Sequence, residues 1–320
     1  MKTLINTDIK VAETFLRAGK LVAIPTETVY GLAGNAMDEN AVTEIFRVKN
    51  RPTFDPLIIH TDNLEKVQKW ITFFPEKAML LAQHLWAGAL TLILPKKNSI
   101  PDLVTSGLPK VAVRIPNHPV TLKLLENLDF PLAAPSANPF GYISPTSAYH
   151  VENQLKNKIP MILDGGNCQV GVESTIIDCS EETPIILRKG GIEIETIENL
   201  IGKVKIQTHS SSNPSAPGML KSHYAPRKPL IITSNILEKI QEFTTSKVAV
   251  LSFQRTIQHS SIYENLVLSS KGDLKESARN LFAFLRQLDN SDADVIVTEF
   301  VPERSLGRAI NDRLRRASQN

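Results

Sequence analysis

Residues 209–226, HSSSNPSAPGMLKSHYAP, interrupt an alternation of helix-like and strand-like apolar periods that runs through the rest of the chain. The stretch is rich in Ser, Pro and Gly and has no apolar period, so nothing in it predicts a buried face. Such a break divides a chain of 320 residues into two parts, each long enough for its own core. We expect a first domain over 1–208, a linker over 209–227 and a small second domain over 228–320.

In the first part Thr7 is placed to cap a helix running to about Gly19, with Val11, Phe15 and Leu16 facing inward. Strand-like segments follow at 21–24, 57–60, 90–94, 111–115, 132–134, 161–163, 175–178 and 185–187. Helical patterns lie at 39–48, 76–85, 119–128 and 146–156. This predicts a mixed α/β domain. After the break come strands at 230–233, 248–252 and 295–298, with helices near 273–288 and 306–317, a pattern for a small parallel α/β domain.

Charge narrows the function classes. A net charge of +3 tolerates an anionic ligand without implying nucleic-acid binding. The two cysteines, Cys168 and Cys179, have no metal-ligand spacing and suit a reducing compartment. The start, MKTLINTDIK, carries no signal-peptide core, and the most apolar window, 78–95, is broken by Gln83, His84, Gly88 and Thr91. We expect a cytoplasmic protein with no membrane contact.

Four stretches could carry chemistry. PTETVYGLAGNA, 25–36, places Thr26, Glu27, Thr28 and Tyr30 where the apolar run 21–24 ends. RVKNRPTFDPLIIH, 47–60, holds Lys49 and Arg51 two residues apart, and Pro52 biases Arg51 toward extended backbone. On an extended chain the two lie on one face roughly 7 Å apart, a spacing for neighbouring phosphates. A solvated basic helix end is the plainer alternative. PKVAVRIPNHP, 109–119, sets Arg114 in an apolar strand with Lys110 on the same side, where an edge strand with a solvent-facing Arg is the alternative. APSANPFGYISPT, 134–146, offers Ser136 and Asn138 after a short strand, and Ser144 as a helix cap. There is no nucleophile elbow, phosphate-binding Gly-rich loop, dinucleotide fingerprint or zinc spacing. Hydroxyls with separated basic residues predict a site that positions a phosphate-bearing anion without attacking it covalently.

PTETVYGL, KNRPTFDPLIIH, VRIPNHP, PSANPFG with SPT, and GVESTIID occur here in the order found in YrdC-type domains. With PGMLKSHYAP and the second α/β part, the chain resembles the two-domain L-threonylcarbamoyladenylate synthases over nearly its whole length. One departure is WAGALT, 86–91, with Ala87 and Ala89 where prolines are expected. The resemblance implies a YrdC-like mixed twisted sheet with helices, plus a small Rossmann-like parallel α/β domain. It implies a nucleotidyltransferase that forms threonylcarbamoyl-AMP and pyrophosphate from L-threonine, bicarbonate and ATP. That product feeds tRNA threonylcarbamoyladenosine synthesis next to the anticodon.

The resemblance also assigns residues. Thr28, His60, Arg114, the backbone at Ala134 and Ser174 fall on the threonine side. Lys49, Arg51, Ser136 and Asn138 match the K-x-R and S-x-N signature around the nucleotide. Asp55, Lys110, Ser144, Arg188 and Tyr224 match nucleotide-side positions, with Tyr224 on a linker that folds over the nucleotide. Glu27 receives no role beyond holding backbone or basic groups in place. Mg²⁺ is expected with ATP, and no organic cofactor. Downstream threonylcarbamoyl-transfer proteins are the implied partners, with direct tRNA binding weak or absent. Two other classes remain: an RNA-binding module without catalysis, and a carbamoyl-transfer enzyme. The latter joins a YrdC-like domain to acylphosphatase and zinc-finger segments, which do not occur in this sequence.

Overall fold

The computed structural model describes residues 2–208, 216–219 and 223–319. Of the linker expected over 209–227, residues 209–215 and 220–222 lie outside the described residues. The chain forms two compact units. The first is Met1–Phe140, Pro145–Gln169 and Glu173–Leu220; the second takes in Gly141–Ser144, Val170–Val172 and Lys221–Asn320.

The strands of the first unit are β1 Leu4–Asn6, β2 Val22–Ile24, β3 Gly31–Asn35, β4 Ile58–His60, β5 Leu90–Pro95, β6 Lys110–Arg114, β7 Leu132–Ala133, β8 Met161–Leu163, β9 Thr175–Asp178, β10 Ile185–Arg188 and β11 Lys205–Ile206. Among the described residues they make one mixed sheet, in the order β1-β8-β2-β3-β7-β4-β6-β5-β9-β10-β11. The predicted strands and helices are present with small changes at their ends. Strand β3 was not expected, because Gly31 and Gly34 read as loop. It pairs antiparallel to β2 and β7, and a Cβ on Gly34 would come 2.8 Å from Leu21. The glycine admits close packing there and does not mark a turn.

Side chains alternate between the faces of a strand. Ile59, Val111, Val113, Leu92 and Leu94 join the main core. That core includes Val42 and Ile45 of the helix Glu39–Lys49 and Leu81 of the helix Glu76–Leu85. The opposite face carries Ile58, Ala112, Ile93 and Ile176, and alternation puts His60, Arg114, Thr91 and Ser174 on that face. Ala216 and Met219 cover part of its apolar surface. The stretch read as lacking an apolar face therefore contributes two fully buried side chains.

Two expected caps move. Asp8, not Thr7, caps the first helix, Ile9–Arg17, accepting from the Lys10 N–H. Ser147, not Ser144, caps the helix Ala148–Leu155. In each case the residue next to the first helical turn is the one that reaches its N–H groups.

The second unit holds β12 Leu230–Ile232, β13 Val248–Ser252, β14 Ile262–Val267 and β15 Val295–Thr298, parallel in the order β12-β15-β13-β14. Strand β14 was missed, since its residues are only partly buried. Ile236 and Ile240 of the helix Ile236–Gln241 pack on Val248, Val250, Val295 and Val297. The helix Leu274–Asn290 starts at Asp273, whose carboxylate accepts from two N–H groups. No helix among the described residues is long and apolar enough to cross a membrane.

Candidate active site

The loop between β2 and β3 is tied to β6 by one guanidinium. Arg114 donates from Nη2 to Glu27 Oε1 at 2.6 Å, from Nη1 to Thr28 Oγ1 at 2.9 Å and from Nε to the Gly88 carbonyl at 3.1 Å. Both members of the ion pair are buried. Because β6 lies between β4 and β5, Arg114 is not the solvent-facing residue of an edge strand. Thr26 Oγ1 lies 2.8 Å from Thr28 Oγ1 and donates to the Val29 carbonyl at 2.6 Å. The Thr28 hydroxyl proton therefore points to Thr26, and its lone pair meets Arg114. Three of five Arg114 N–H groups are engaged, which leaves two for a ligand.

His60 pairs in register with Arg114. Burial pushes its imidazole down to about 3, with Arg114 adding to the effect, so the ring is neutral at physiological pH. Its Nδ1 is buried with no hydrogen-bond partner among the described residues. Ala134 spends its N–H on the Ile58 carbonyl at 3.1 Å.

Lys49 and Arg51 do not share an extended face. Lys49 ends the helix Glu39–Lys49, and Asn50 follows in the left-handed region at φ 53°. The N–H of Arg51 reaches back to the Phe46 carbonyl and that of Asn50 to the Arg47 carbonyl, a Schellman ending. Nor is this a solvated helix end, because both side chains are buried. Lys49 Nζ donates to the carbonyls of Ser136 at 2.5 Å and Asn138 at 2.6 Å. Burial holds its pKa well below the usual lysine range, and Arg51 adds to this. Arg51 donates to the carbonyls of Asp55 at 3.1 Å and Pro56 at 2.8 Å. Its Nη2 also lies 2.9 Å from Asp55 Oδ1, close but misaligned for a hydrogen bond. Burial raises the Asp55 carboxyl, against the pull of Arg51, Lys49 and Arg188.

Arg188 links the two groups, because its charge bears on both His60 and Asp55. It donates to the Ser174 carbonyl at 3.0 Å, to Ser174 Oγ at 2.9 Å and to the Pro217 carbonyl at 3.4 Å. Ser174 Oγ also meets Thr91 Oγ1 at 2.7 Å. Thr91 was missed, although a hydroxyl inside the apolar run 90–94 was a readable signal. The described residues thus bring together eleven of the expected site residues: Thr28, Lys49, Arg51, Asp55, His60, Arg114, Ala134, Ser136, Asn138, Ser174 and Arg188.

The remaining three, Lys110, Ser144 and Tyr224, have these contacts within their own units. Lys110, at the far end of β6, is spent on Asp178 at 3.1 Å and Glu181 at 3.2 Å. Ser144 and Tyr224 belong to the second unit. There the Ser144 carbonyl accepts from Arg286 at 3.2 Å. Tyr224 has φ 65°, lies 5.6 Å from the Phe282 ring and has the Arg313 guanidinium 5.3 Å from its centroid. Both cysteines are buried thiols, and burial pushes Cys179 up to about 12, so neither is poised as a nucleophile. No cluster of three ligating side chains that could hold a metal ion occurs among the described residues.

Comparison with known proteins agrees over both units. The sequence family described as telomere recombination, covering Sua5, YciO and YrdC, matches residues 14–190. A family described as the threonylcarbamoyl-AMP synthase C-terminal domain matches residues 192–319. A threonylcarbamoyl-AMP synthase of Pyrococcus abyssi is 44% identical over 318 residues, covering 97% of this chain and 94% of the relative. One of Bacillus subtilis is 39% identical, covering 98% and 93%. The crystal structure of P. abyssi Sua5 complexed with L-threonine superposes with a TM-score of 0.92 at 43% identity, over 99% of this chain and 98% of that one.

Proposed function

The chain belongs to the two-domain Sua5 branch of the threonylcarbamoyl-AMP synthase family, and from that premise we propose that it joins L-threonine, bicarbonate and ATP into threonylcarbamoyl-AMP and pyrophosphate. The observation that carries this reading is the Arg114 fork. It is anchored by Glu27, Thr28 and Gly88, keeps two N–H groups, and stands opposite a neutral His60.

Threonine's amine and bicarbonate give a carbamate and water, and the carbamate oxygen then attacks the α-phosphorus of ATP as pyrophosphate leaves. No enzyme-bound covalent intermediate is needed. The protein's part is orientation and charge stabilisation. Arg114 receives the threonine carboxylate in its planar fork. Thr28, Ser174 and the Ala134 carbonyl line the same pocket, and neutral His60 is a hydrogen-bonding wall that brings no charge. Arg51 and Arg188 supply positive charge on the phosphate side. Lys49 acts at one remove, by fastening the Ser136–Asn138 turn that borders the nucleotide. Its burial and its two carbonyl partners support that role over direct phosphate contact.

Mg²⁺ bound to ATP would neutralise phosphate charge, drawing most of its ligands from phosphate and water. Asp55 is the carboxylate within the cationic group that could add one oxygen. Lys110, Ser144 and Tyr224 enter as nucleotide-side residues only through the resemblance. The division of labour in this reading is a catalytic domain over 1–208, a closing linker over 209–227 and a second domain over 228–320. Cytoplasmic location, transfer proteins downstream and little direct tRNA binding complete it. Mass spectrometry of a reaction with L-threonine, bicarbonate and ATP tests it; absence of threonylcarbamoyl-AMP and pyrophosphate would refute it.

A further inference from the structure

The four parallel strands of the second unit lie in the order β12-β15-β13-β14, but the chain visits them as β12, β13, β14 and β15. Its path runs one way from β12 through β13 to β14, then reverses to reach β15. Right-handed connections put the outward path on one face of the sheet and the return on the other. The helix Ile236–Gln241 and Ile257, both on the outward path, pack with Val248, Val250, Val295 and Val297. The return runs through the helix Leu274–Asn290, against β13, and continues into the helix Gly307–Ala317, against β12. Strands β13 and β15 are therefore neighbours whose outgoing chains leave toward opposite faces. In open parallel sheets a crevice forms at such a place, outside the carboxyl ends of the strands, and ligands bind in it.

This sheet has that crevice. Phe253, Arg255 and Ile257, following β13, and Glu299, following β15, line a cavity of about 330 Å³, which the loop at 234–237 completes. The volume falls at the lower end of the range of about 300–1,000 Å³ for small-molecule sites. Glu299 Oε1 accepts from the Phe253 N–H at 2.9 Å, which fixes the carboxylate across the gap between the two strand ends. Its Oε2 has no hydrogen-bond partner among the described residues, and Arg255 has neither a hydrogen bond nor an ion pair there. An anion and a cation thus share one concave wall without closing on each other, and both are available to a ligand.

Three features define what fits. A carboxylate oxygen fixed at a strand end accepts hydrogen bonds from hydroxyls, and a ribose presents two side by side. Phe253, Leu237 and Ile257 give an apolar wall for a flat ring. Arg255 is the one basic side chain among the lining residues, enough for a single phosphate and too little for a triphosphate. A nucleoside 5′-monophosphate carries all three groups on one small frame.

We propose that the crevice between β13 and β15 is a binding site for a nucleoside 5′-monophosphate, with Glu299 on the ribose hydroxyls and Arg255 on the phosphate. The site lies wholly within the second unit and needs nothing from the residues of the first. The choice of AMP as the probe rests on the function proposed above: passing the threonylcarbamoyl group to an acceptor breaks its bond to the phosphate oxygen and frees AMP.

Photolabelling of the full-length protein with 8-azido-AMP, followed by peptide mapping, separates this site from any nucleotide bound by the first unit. Label is expected on peptides covering 234–237 or 253–257, and unlabelled AMP should protect them. Protection by 2′-deoxy-AMP or by adenosine should need at least about tenfold more ligand, since each lacks a group that meets a charged side chain. Arg255→Ala and Glu299→Gln should each weaken protection by AMP at these peptides about tenfold or more, while formation of threonylcarbamoyl-AMP stays unchanged. Glu299→Gln retains an oxygen for the Phe253 N–H, and Arg255→Ala removes an exposed side chain, so a folding defect in the first leaves the second to decide. Label confined to the first unit, or AMP protection of 234–237 and 253–257 that both substitutions leave intact, overturns the site. Specific label at these peptides in a protein that makes no threonylcarbamoyl-AMP would refute the proposed activity and leave this site standing.

Discussion

The side-chain nitrogen of Lys49 lies 2.6 Å from the carbonyl oxygen of Asn138, and this contact changes what a substitution at Lys49 should do. As an exposed basic residue Lys49 would matter little for stability. Buried and bonded also to the Ser136 carbonyl, it leaves two acceptors unmet when truncated. Lys49→Ala should therefore lose about 1–3 kcal/mol of stability as well as turnover. Urea unfolding monitored by circular dichroism reads the first and product formation the second. A fully active variant of unchanged stability would place Lys49 outside both roles.

Arg114→Lys keeps the charge but loses the fork. An ammonium cannot reach Glu27, Thr28 and Gly88 in the arrangement that the guanidinium makes. Threonine affinity should drop by at least about tenfold, the equivalent of about 1.4 kcal/mol. Titration calorimetry measures it, and unchanged affinity would mean that Arg114 serves the fold alone.

His60 makes stability depend on acid. Its folded pKa, about 3, lies below the ordinary histidine value of 6.5, so the unfolded chain binds the proton more readily. The neutral ring's full contribution is present above 6.5, and it is lost as pH falls from there toward about 3. Between about pH 6.5 and pH 5 the loss is on the order of 2 kcal/mol. Thermal melts of wild type and His60→Gln across that window should show the wild type falling more steeply. Parallel curves would contradict a buried neutral ring.

Ala216 and Met219 seal apolar residues on the site face, and Pro217 accepts from Arg188. A chain ending at Gln207 should fold, since the main core lies on the other face, but should expose Ile58, Ala112 and Leu187. Bound hydrophobic dye should rise and product yield should fall through hydrolysis of the unshielded anhydride. In the full chain, ATP and threonine together should slow protease nicking between 209 and 226. Nicking indifferent to ligands, with full yield from the shortened chain, would reduce the segment to a tether.

Much of this protein is set by local sequence. The strands at 161–163, 175–178 and 248–252 follow from apolar runs whose period is their own, and the motifs named the site residues because polar groups at strand ends stand out against those runs. What the sequence left open depends on residues far apart in the chain. Strand β3 exists because β2 and β7 flank it, a fact that its glycines conceal. Lys49 and Arg51 looked like a flat phosphate clamp, until Asn50 turned left-handed and buried both. Glu27 had no readable partner, because Arg114 lies 87 residues away and only the sheet order brings it within 2.6 Å. Propensity and periodicity act over a few residues, whereas partners for buried charges are chosen by the packing of the whole unit. The sequence therefore determined which residues are polar at the site, and the tertiary structure decided which of them hold substrate and which hold one another.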